Sequence, residues 1–477
     1  MSVVFTAMVS VFQRWRDALQ PPVASVGGDG LPKLARLGAI LTIAFGITMA
    51  VLDGVIINVA LPTIADELHT TPASSIWVIN GYQLVITMTL LSLSSLGDRI
   101  GYRRIYLGGL LLFVVMSLNC ALASTLPGLT LARVLQGLGA AALMSVNTAL
   151  IRLIYPKHQL GRGMAINSLV VAASTAAGPT IAASILSIAS WQWLFAINVP
   201  IGLLALYLGR RYLPHNEGLR DQKFDTPSSL LNALTFGLFF LSLGGVAHNQ
   251  STPLVLAGLL ASLVVGWIFV RRQLHQPYPL LPIDLLRIPV FSLSIGTSIT
   301  SFCAQMLAMV SIPFYFQGVL GLNAIETGLL LTPWPIATMI LAPVAGRLLE
   351  RMNAGVLCSI GLGLFACGLI ALALLPADPG YLDISWRMVL CGAGFGLFQS
   401  PNNHTIISAA PRQRSGGASG MLGTARLVGQ TTGAALVALA FNQFTTHGTH
   451  VCLLAAGVLA AIAAGISLLR AGRLASH

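Results

Sequence analysis

Charge is what this sequence has least of. Only 8% of its residues are Asp, Glu, Lys or Arg, against about 25% in a soluble domain. Too little polar surface is left to cover a core of this size, which argues against a soluble globular fold. Acidic residues are the scarcer kind, 14 against 26 Lys and Arg, for a formal net charge of +12. A Walker A sequence is also missing, which argues against an ATP-driven pump. Cysteine is sparse, 6 in 477 residues, and none has the CxxC spacing of a metal site. Cys120, Cys303, Cys358, Cys367, Cys391 and Cys452 are therefore read as small buried hydrophobes. Gly392, Gly394 and Gly396 loosely echo a dinucleotide loop, but they lie in an apolar run with no βαβ context. Neither a cofactor nor a metal is expected.

What fills the chain instead is apolar sequence. Hydrophobic types make up 55%, and mean hydropathy is +0.82. Runs of about 20 apolar residues, the length of a spanning helix, recur from Gly38 to Leu469. Lipid gives backbone groups no hydrogen bonds, so each run must be helical. The fold class is an all-α polytopic membrane protein with fourteen expected spans.

The basic residues orient them. Of the 26 Lys and Arg, all but Arg133, Arg387 and Arg426 fall on one side when the spans alternate. Arg133 and Arg426 lie within spans. One missed span would scramble this split, which follows the positive-inside rule with both termini inside. Basic residues so placed speak for a bilayer rather than nucleic acid. The organisation expected is a tail over 1–37, a six-helix bundle over 38–212, two additional helices with linkers over 213–289, a second bundle over 290–470, and a tail over 471–477. The linker at 272–289 is expected along the interface. Phe5, Met8, Phe12, Trp15 and Leu19 recur at helical spacing, which suggests a surface helix or a disordered start. Arg14 and Arg16 follow the first apolar run, the reverse of a signal peptide. Two six-span halves are a layout of secondary transporters.

An ionisable group inside a span is a functional candidate by default. Asp53 is the one carboxylate well inside a span. Counted at about 1.5 Å per residue, Asp53 and Arg133 lie at similar depth. If their spans are neighbours they can pair directly or through water; otherwise each bonds within its own surroundings. A buried carboxylate suits proton coupling, because desolvation raises its pKa and an approaching cation lowers it. Arg426, with Gln430 one turn on, can bind an anion, hold a carbonyl or touch substrate. Polar and aromatic residues of the spans are pocket candidates: Asn58, Trp77, Tyr82, Gln83, Gln136, Asn147, Gln305, Tyr315, Gln317, Asn402, Arg426 and Gln430.

These residues resemble a known family. AVLDGVIINVALPTI (50–64), GDRIGYRR (97–104) and LTLARVLQG (129–137) are similar to motifs of the major facilitator superfamily, specifically its 14-spanner EmrB/QacA-type drug:proton antiporters. The resemblance implies that Arg133 helps proton transfer. It also marks Gly97, Asp98, Arg99, Gly101, Arg103 and Arg104 as a signature loop. Gly101 permits a tight turn there, and Asp98 can pair across the seam between halves as an inner gate. Gly178 and Pro179 match a degenerate antiporter kink, with Ser174, Ala182 and Ala183 at its usual glycine places. Trp191 and Trp193, in WQWLFAINVPIG (191–202), read as interfacial anchors.

The expected function is a monomeric, proton-coupled exporter of small amphipathic compounds, cationic ones included, in a bacterial inner membrane. The proton gradient would be the energy source, and the chain would not be an enzyme. A proton-coupled uptake symporter for a polar metabolite is the second reading. A non-transporting membrane sensor is a third.

Overall fold

The computed structural model describes residues 30–216, 224–247, 250–276, 279–376, 378–411, 414–444 and 447–474. The surface helix expected near the start lies outside them. Every regular element among the described residues is helical. The first unit comprises α1 (Lys33–Glu67), α2 (Pro72–Ser75), α3 (Trp77–Ile100), α4 (Tyr102–Ala121), α5 (Leu126–Ile154), α6 (Leu160–Ile188), α7 (Trp193–Ala196) and α8 (Asn198–Tyr212). α9 (Thr226–Ala247) and α10 (Thr252–Leu274) follow. The second unit comprises α11 (Pro289–Gly318), α12 (Ala324–Leu331), α13 (Pro333–Leu348), α14 (Ala354–Ala373), α15 (Tyr381–Ala409), α16 (Ser415–Gln443) and α17 (Gly448–Leu474). The short pieces continue into the long ones, so the described residues make 14 long helical passages.

Twelve of these are long and apolar enough to cross a membrane. The two that fall short are α15 and α16. Both are full-length helices of 29 residues, but they carry Gln399, Asn402, Asn403 and His404, and Arg426, Gln430, Thr431 and Thr432. Helix starts follow local chemistry. The Thr125 side chain accepts from the Gly128 N–H at 3.3 Å, ahead of a proline in the first turn. Asn323 and Glu326 form a reciprocal capping box. Such caps satisfy N–H groups that the helix leaves open.

The two units repeat one packing device. A Cβ on Gly139 would lie 2.8 Å from the Gly109 carbonyl oxygen and 2.8 Å from the Phe113 nitrogen. In the second unit a Cβ on Gly394 would lie 2.6 Å from the Gly361 oxygen and 2.4 Å from the Phe365 nitrogen. Two residues earlier, Gly137 meets the Tyr82 oxygen at 2.5 Å, as Gly392 meets that of Trp334 at 2.1 Å. Small residues let backbones touch where lipid supplies no hydrophobic drive for helix association. The paired glycines of α5 and α15 are thus helix-crossing points, which gives Gly392 and Gly394 a role unrelated to nucleotides.

Basic helix ends gather at one end of the bundle. There Leu31 donates its N–H to the Ile154 oxygen, and Gly38 abuts the Tyr212 ring. The linker helix turn Ile283–Arg287 docks on the second unit at this end, with Asp284 paired to Arg414 at 2.9 Å. At the opposite end one apolar core draws on both units, from Ile56, Leu61 and Ile64 to Phe316 and Leu330. Toward the basic end the core divides. One cluster belongs to the first unit save for Leu427, and a separate one surrounds Phe291, Ile406 and Met421. The apolar core is therefore mostly divided between the halves toward the basic end, where α16 still approaches α3 at Leu90 and Leu91, and shared by them at the opposite end.

The closing contacts are close. Gln317 Nε2 donates to the Val59 oxygen at 3.0 Å, and Thr180 and Thr332 share a hydrogen bond of 2.9 Å. A Cβ on Gly328 would lie 2.5 Å from the Pro179 carbonyl oxygen, a backbone atom that cannot yield. A Gly328→Val substitution is expected to hold this end open. A cysteine introduced by Thr63→Cys should then react with an impermeant maleimide about tenfold faster than in the parent background. Equal rates would show that this seam is not the closing contact.

α9 answers where the extra pair sits. Asn232 Nδ2 donates to the Met88 oxygen at 2.8 Å, and Gly244 abuts the Trp77 ring. α9 also packs on α16, so it covers the seam between one helix of each unit. α10 lies outside it, with Leu254, Leu260, Leu263 and Trp267 exposed.

Candidate functional site

Asp53 and Arg133 meet. The close crossing at Gly137 brings α5 onto α3, and Arg133, one turn earlier, slides beneath the Tyr82 ring with its guanidinium 4.1 Å from the centroid. Arg133 Nη1 donates to Asp53 Oδ2 and, at 2.7 Å, to Gln136 Oε1. Its Nε donates to the Val78 carbonyl at 3.1 Å. The other carboxylate oxygen, Oδ1, accepts from Gln136 Nε2 at 3.1 Å and Asn198 Nδ2 at 3.0 Å. Ser117 Oγ accepts the remaining Gln136 donor at 2.9 Å. The ion pair is dry, with side-chain exposures of 0% and 1%. Arg133 Nη2 is buried with no hydrogen-bond partner among the described residues. A pair so enclosed gains little net stability, yet removing one partner leaves an uncompensated charge.

Similar depth raised the pairing of Asp53 with Arg133 as one of two alternatives, conditional on their helices being neighbours; α1 and α5 are neighbours here, and the two side chains pair. Asn198, Ser117 and Cys120 around them were missed. Asn198 had a signal, a lone amide two residues before Pro200 in an apolar run; Ser117 and Cys120 had none. Trp191 is not an interfacial anchor. It is buried, stacks edge-on with Phe195 at 6.1 Å, and donates to Glu67 Oε2 at 2.9 Å. Trp193 is exposed, as an anchor should be. Cys367 is exposed rather than buried; the other five cysteines are buried. The repeat sharpens the charge asymmetry. The residue four before Gly392 in α15, in Arg133's place before Gly137, is Met388, which is fully buried. The second unit has no counterpart of the pair at this crossing.

The loop of Gly97, Asp98, Arg99, Gly101, Arg103 and Arg104 closes on its own half. Gly101 has φ 101°, and a Cβ there would lie 2.9 Å from the Asn216 oxygen, so only glycine fits. The Tyr102 N–H donates to Asn216 Oδ1 at 3.0 Å. Arg103 reaches His215 and the Arg210 carbonyl. Burial, then Arg103 and Arg104, push the His215 imidazole below its ordinary value. Asp98 accepts from the Tyr102 hydroxyl at 2.8 Å. Among the described residues Asp98 has no ion pair across the seam. Gly178 and Pro179 lie at the closed end, where Gly178 abuts Val55 and Pro179 abuts Gly328.

The pocket candidates separate. Tyr82 and Gln136 belong to the Asp53 cluster. Gln317 belongs to the closed seam, and Trp77 packs on α9. Asn147 donates to Asn167 Oδ1 at 2.9 Å, tying α5 to α6. Asn402 donates to Ser298 Oγ and accepts from Arg470, both at 2.8 Å or less, inside the second unit. Asn58 is buried with its side-chain oxygen unpartnered, and Tyr315 is half-buried beside Phe316. Thr87 of α3 and Thr431 of α16 lie 3.3 Å apart across the seam; Gln83 is buried, and Gln305, Arg426 and Gln430 are half-buried. Arg470, read from the sequence as a flanking charge, is fully buried instead.

Comparison with known proteins places this architecture. The uncharacterised transporter YebQ of Escherichia coli is 66% identical over 93% of this chain and 98% of its own length. The riboflavin transporter RibZ of Clostridioides difficile is 30% identical over 86% and 89%. The tetracenomycin C resistance and export protein of Streptomyces glaucescens is 32% identical over 87% and 77%. A solved POT family transporter shares the fold, with a TM-score of 0.71 at 14% identity over 96% of this chain and 99% of that one. The family model of the Major Facilitator Superfamily matches residues 43–434, and the chain belongs to that superfamily of membrane transporters.

Proposed function

We propose that the chain is a proton-coupled exporter of small amphipathic compounds, working by alternating access in a bacterial inner membrane. The observation that carries this is the enclosed Asp53–Arg133 pair, held by Gln136 and Asn198 at the centre of one half only. Protonation of Asp53 cancels the charge that holds Arg133. The guanidinium can then shift toward its remaining acceptors, the Gln136 and Val78 oxygens, and loosen α1 from α5. Such a two-state element can couple a proton to the rocking of the halves about a midplane site. All fourteen passages would cross the bilayer with the basic end cytoplasmic, which makes the present arrangement the inward-open one. Asp98 and its neighbours would then meet the second half when that end closes, and the Gly178–Pro179 kink would part from Gly328.

The export protein among the relatives supports this direction; the riboflavin transporter keeps an uptake symporter as the second reading. Vesicles holding the purified chain and acidified inside decide between them. An exchanger accumulates an amphipathic dye with the acid, whereas a symporter expels it. No flux of any dye in a broad panel would sink the transport reading.

A further inference from the structure

Two arginines deep in the second unit have no carboxylate partner, and they differ in how they are satisfied. Arg470 Nη1 donates to Ser294 Oγ and Asn402 Oδ1, both at 2.7 Å, and its Nη2 donates to Ser467 Oγ at 3.1 Å. It is fully buried and held by neutral oxygens. Arg426 has none of this. Its one described contact is the Phe302 ring, 5.6 Å from the guanidinium carbon. No carboxylate pairs with it among the described residues, whose ion pairs are all elsewhere. It keeps accessible surface, as do Gly423 and Gln430 on the same helix face. That face lies at the seam, where a Cβ on Gly423 would lie 3.9 Å from Leu90 of the first half.

The surroundings suit a ligand with an apolar body. Phe302 and Met306 are buried on α11 beside it. Gln83 of α3 has only the Met306 sulfur, 3.9 Å away, for its amide donor; a thioether is a weak acceptor. Among the described residues the same region offers a cation no unpaired carboxylate. Asp53 is the one carboxylate at this depth, and its oxygens already receive Arg133, Gln136 and Asn198. A positive substrate would have to displace a guanidinium, whereas an acidic one meets an unspent guanidinium. Charge-assisted hydrogen bonds to carboxylate or phosphate are the strongest kind arginine makes.

Taking the transporter reading as its base, we propose that Arg426 is the recognition point for an acidic group, and that the substrates are anionic amphipaths rather than cations. Gln430 and Gln83 would supply the neutral hydrogen bonds beside it.

The test uses 1-pyrenebutyrate, its uncharged methyl ester and a pyrenebutyl trimethylammonium cation, which share one apolar body. Saturable binding to the purified full chain in lipid nanodiscs is read by energy transfer from tryptophan to pyrene. The carboxylate should bind at least about tenfold more tightly than the ester or the cation. Arg426→Gln should remove that preference, and Arg426→Lys should retain part of it. Equal binding of the three probes to the parent chain overturns the proposal whether or not the variant folds. So does an Arg426→Gln chain with parental preference. Flux of the same probes into acidified vesicles is scored separately. Charge-selective binding without flux would sink the transport reading alone, and flux without charge preference would sink this one alone.

Discussion

An Asp53→Asn chain is expected to transport nothing at the expense of a proton gradient, while still inserting into the membrane. Asparagine keeps the shape and can still accept from Gln136 and Asn198 through its one oxygen, but its NH2 then faces the Arg133 donor, and it cannot take up or release the proton. It also leaves Arg133 dry and without a counter-charge, between the Tyr82 and Phe195 rings. Breaking a buried pair from one side costs about 3–5 kcal/mol, so thermal unfolding in detergent should come earlier. The second charge can be removed as well. In Asp53→Asn with Arg133→Gln, both charges are gone, and neutral replacement of a whole buried pair is often harmless to stability. Stability should return in the double variant while gradient-driven flux stays at background. The four chains form a cycle that separates the structural from the coupling role. Parental flux in Asp53→Asn would end the coupling assignment, and additive stability losses would show that the two side chains do not interact.

The second large effect is expected at Arg470. Arg470→Ala strands Asn402 Oδ1 in the interior and opens a cavity between α11, α15 and α17. An unsatisfied buried polar atom costs about 1–3 kcal/mol, so the loss should exceed about 3 kcal/mol once the cavity is included. The variant should give little monodisperse protein on size-exclusion chromatography. Arg470→Lys, which keeps the charge and one or two donors, should recover part of the melting temperature and transport normally per folded molecule. A stable Arg470→Ala chain would mean that the second unit does not depend on this network.

Arg470 shows why some of this molecule was legible and some was not. By position it is one more basic residue at the end of an apolar run, and the positive-inside pattern counts it so. The helix of α17 runs on to Leu474, which turns residue 470 inward toward Asn402 and away from the headgroups. The same reasoning misjudged Trp191, whose sequence neighbourhood fits an interfacial anchor and whose ring is enclosed. Asp53 and Arg133 succeeded because two charges at one depth leave few other ways to be neutralised. Gly392 and Gly394 carried a signal that pointed nowhere until their counterparts Gly137 and Gly139 were found in the same contacts.

The amino-acid sequence alone determined the helices, their number, the basic and non-basic ends and the one deep carboxylate. Each of these follows from how a local run partitions between water and lipid, and partitioning is read one segment at a time. Which charges are spent and which are free was decided only by the tertiary structure. Arg133 and Arg426 look alike in their apolar runs and Arg470 closes one, yet one is paired, one is open and one is held by neutral oxygens. Those outcomes depend on helices tens to hundreds of residues away, whose approach is set by backbone contact at a few glycines.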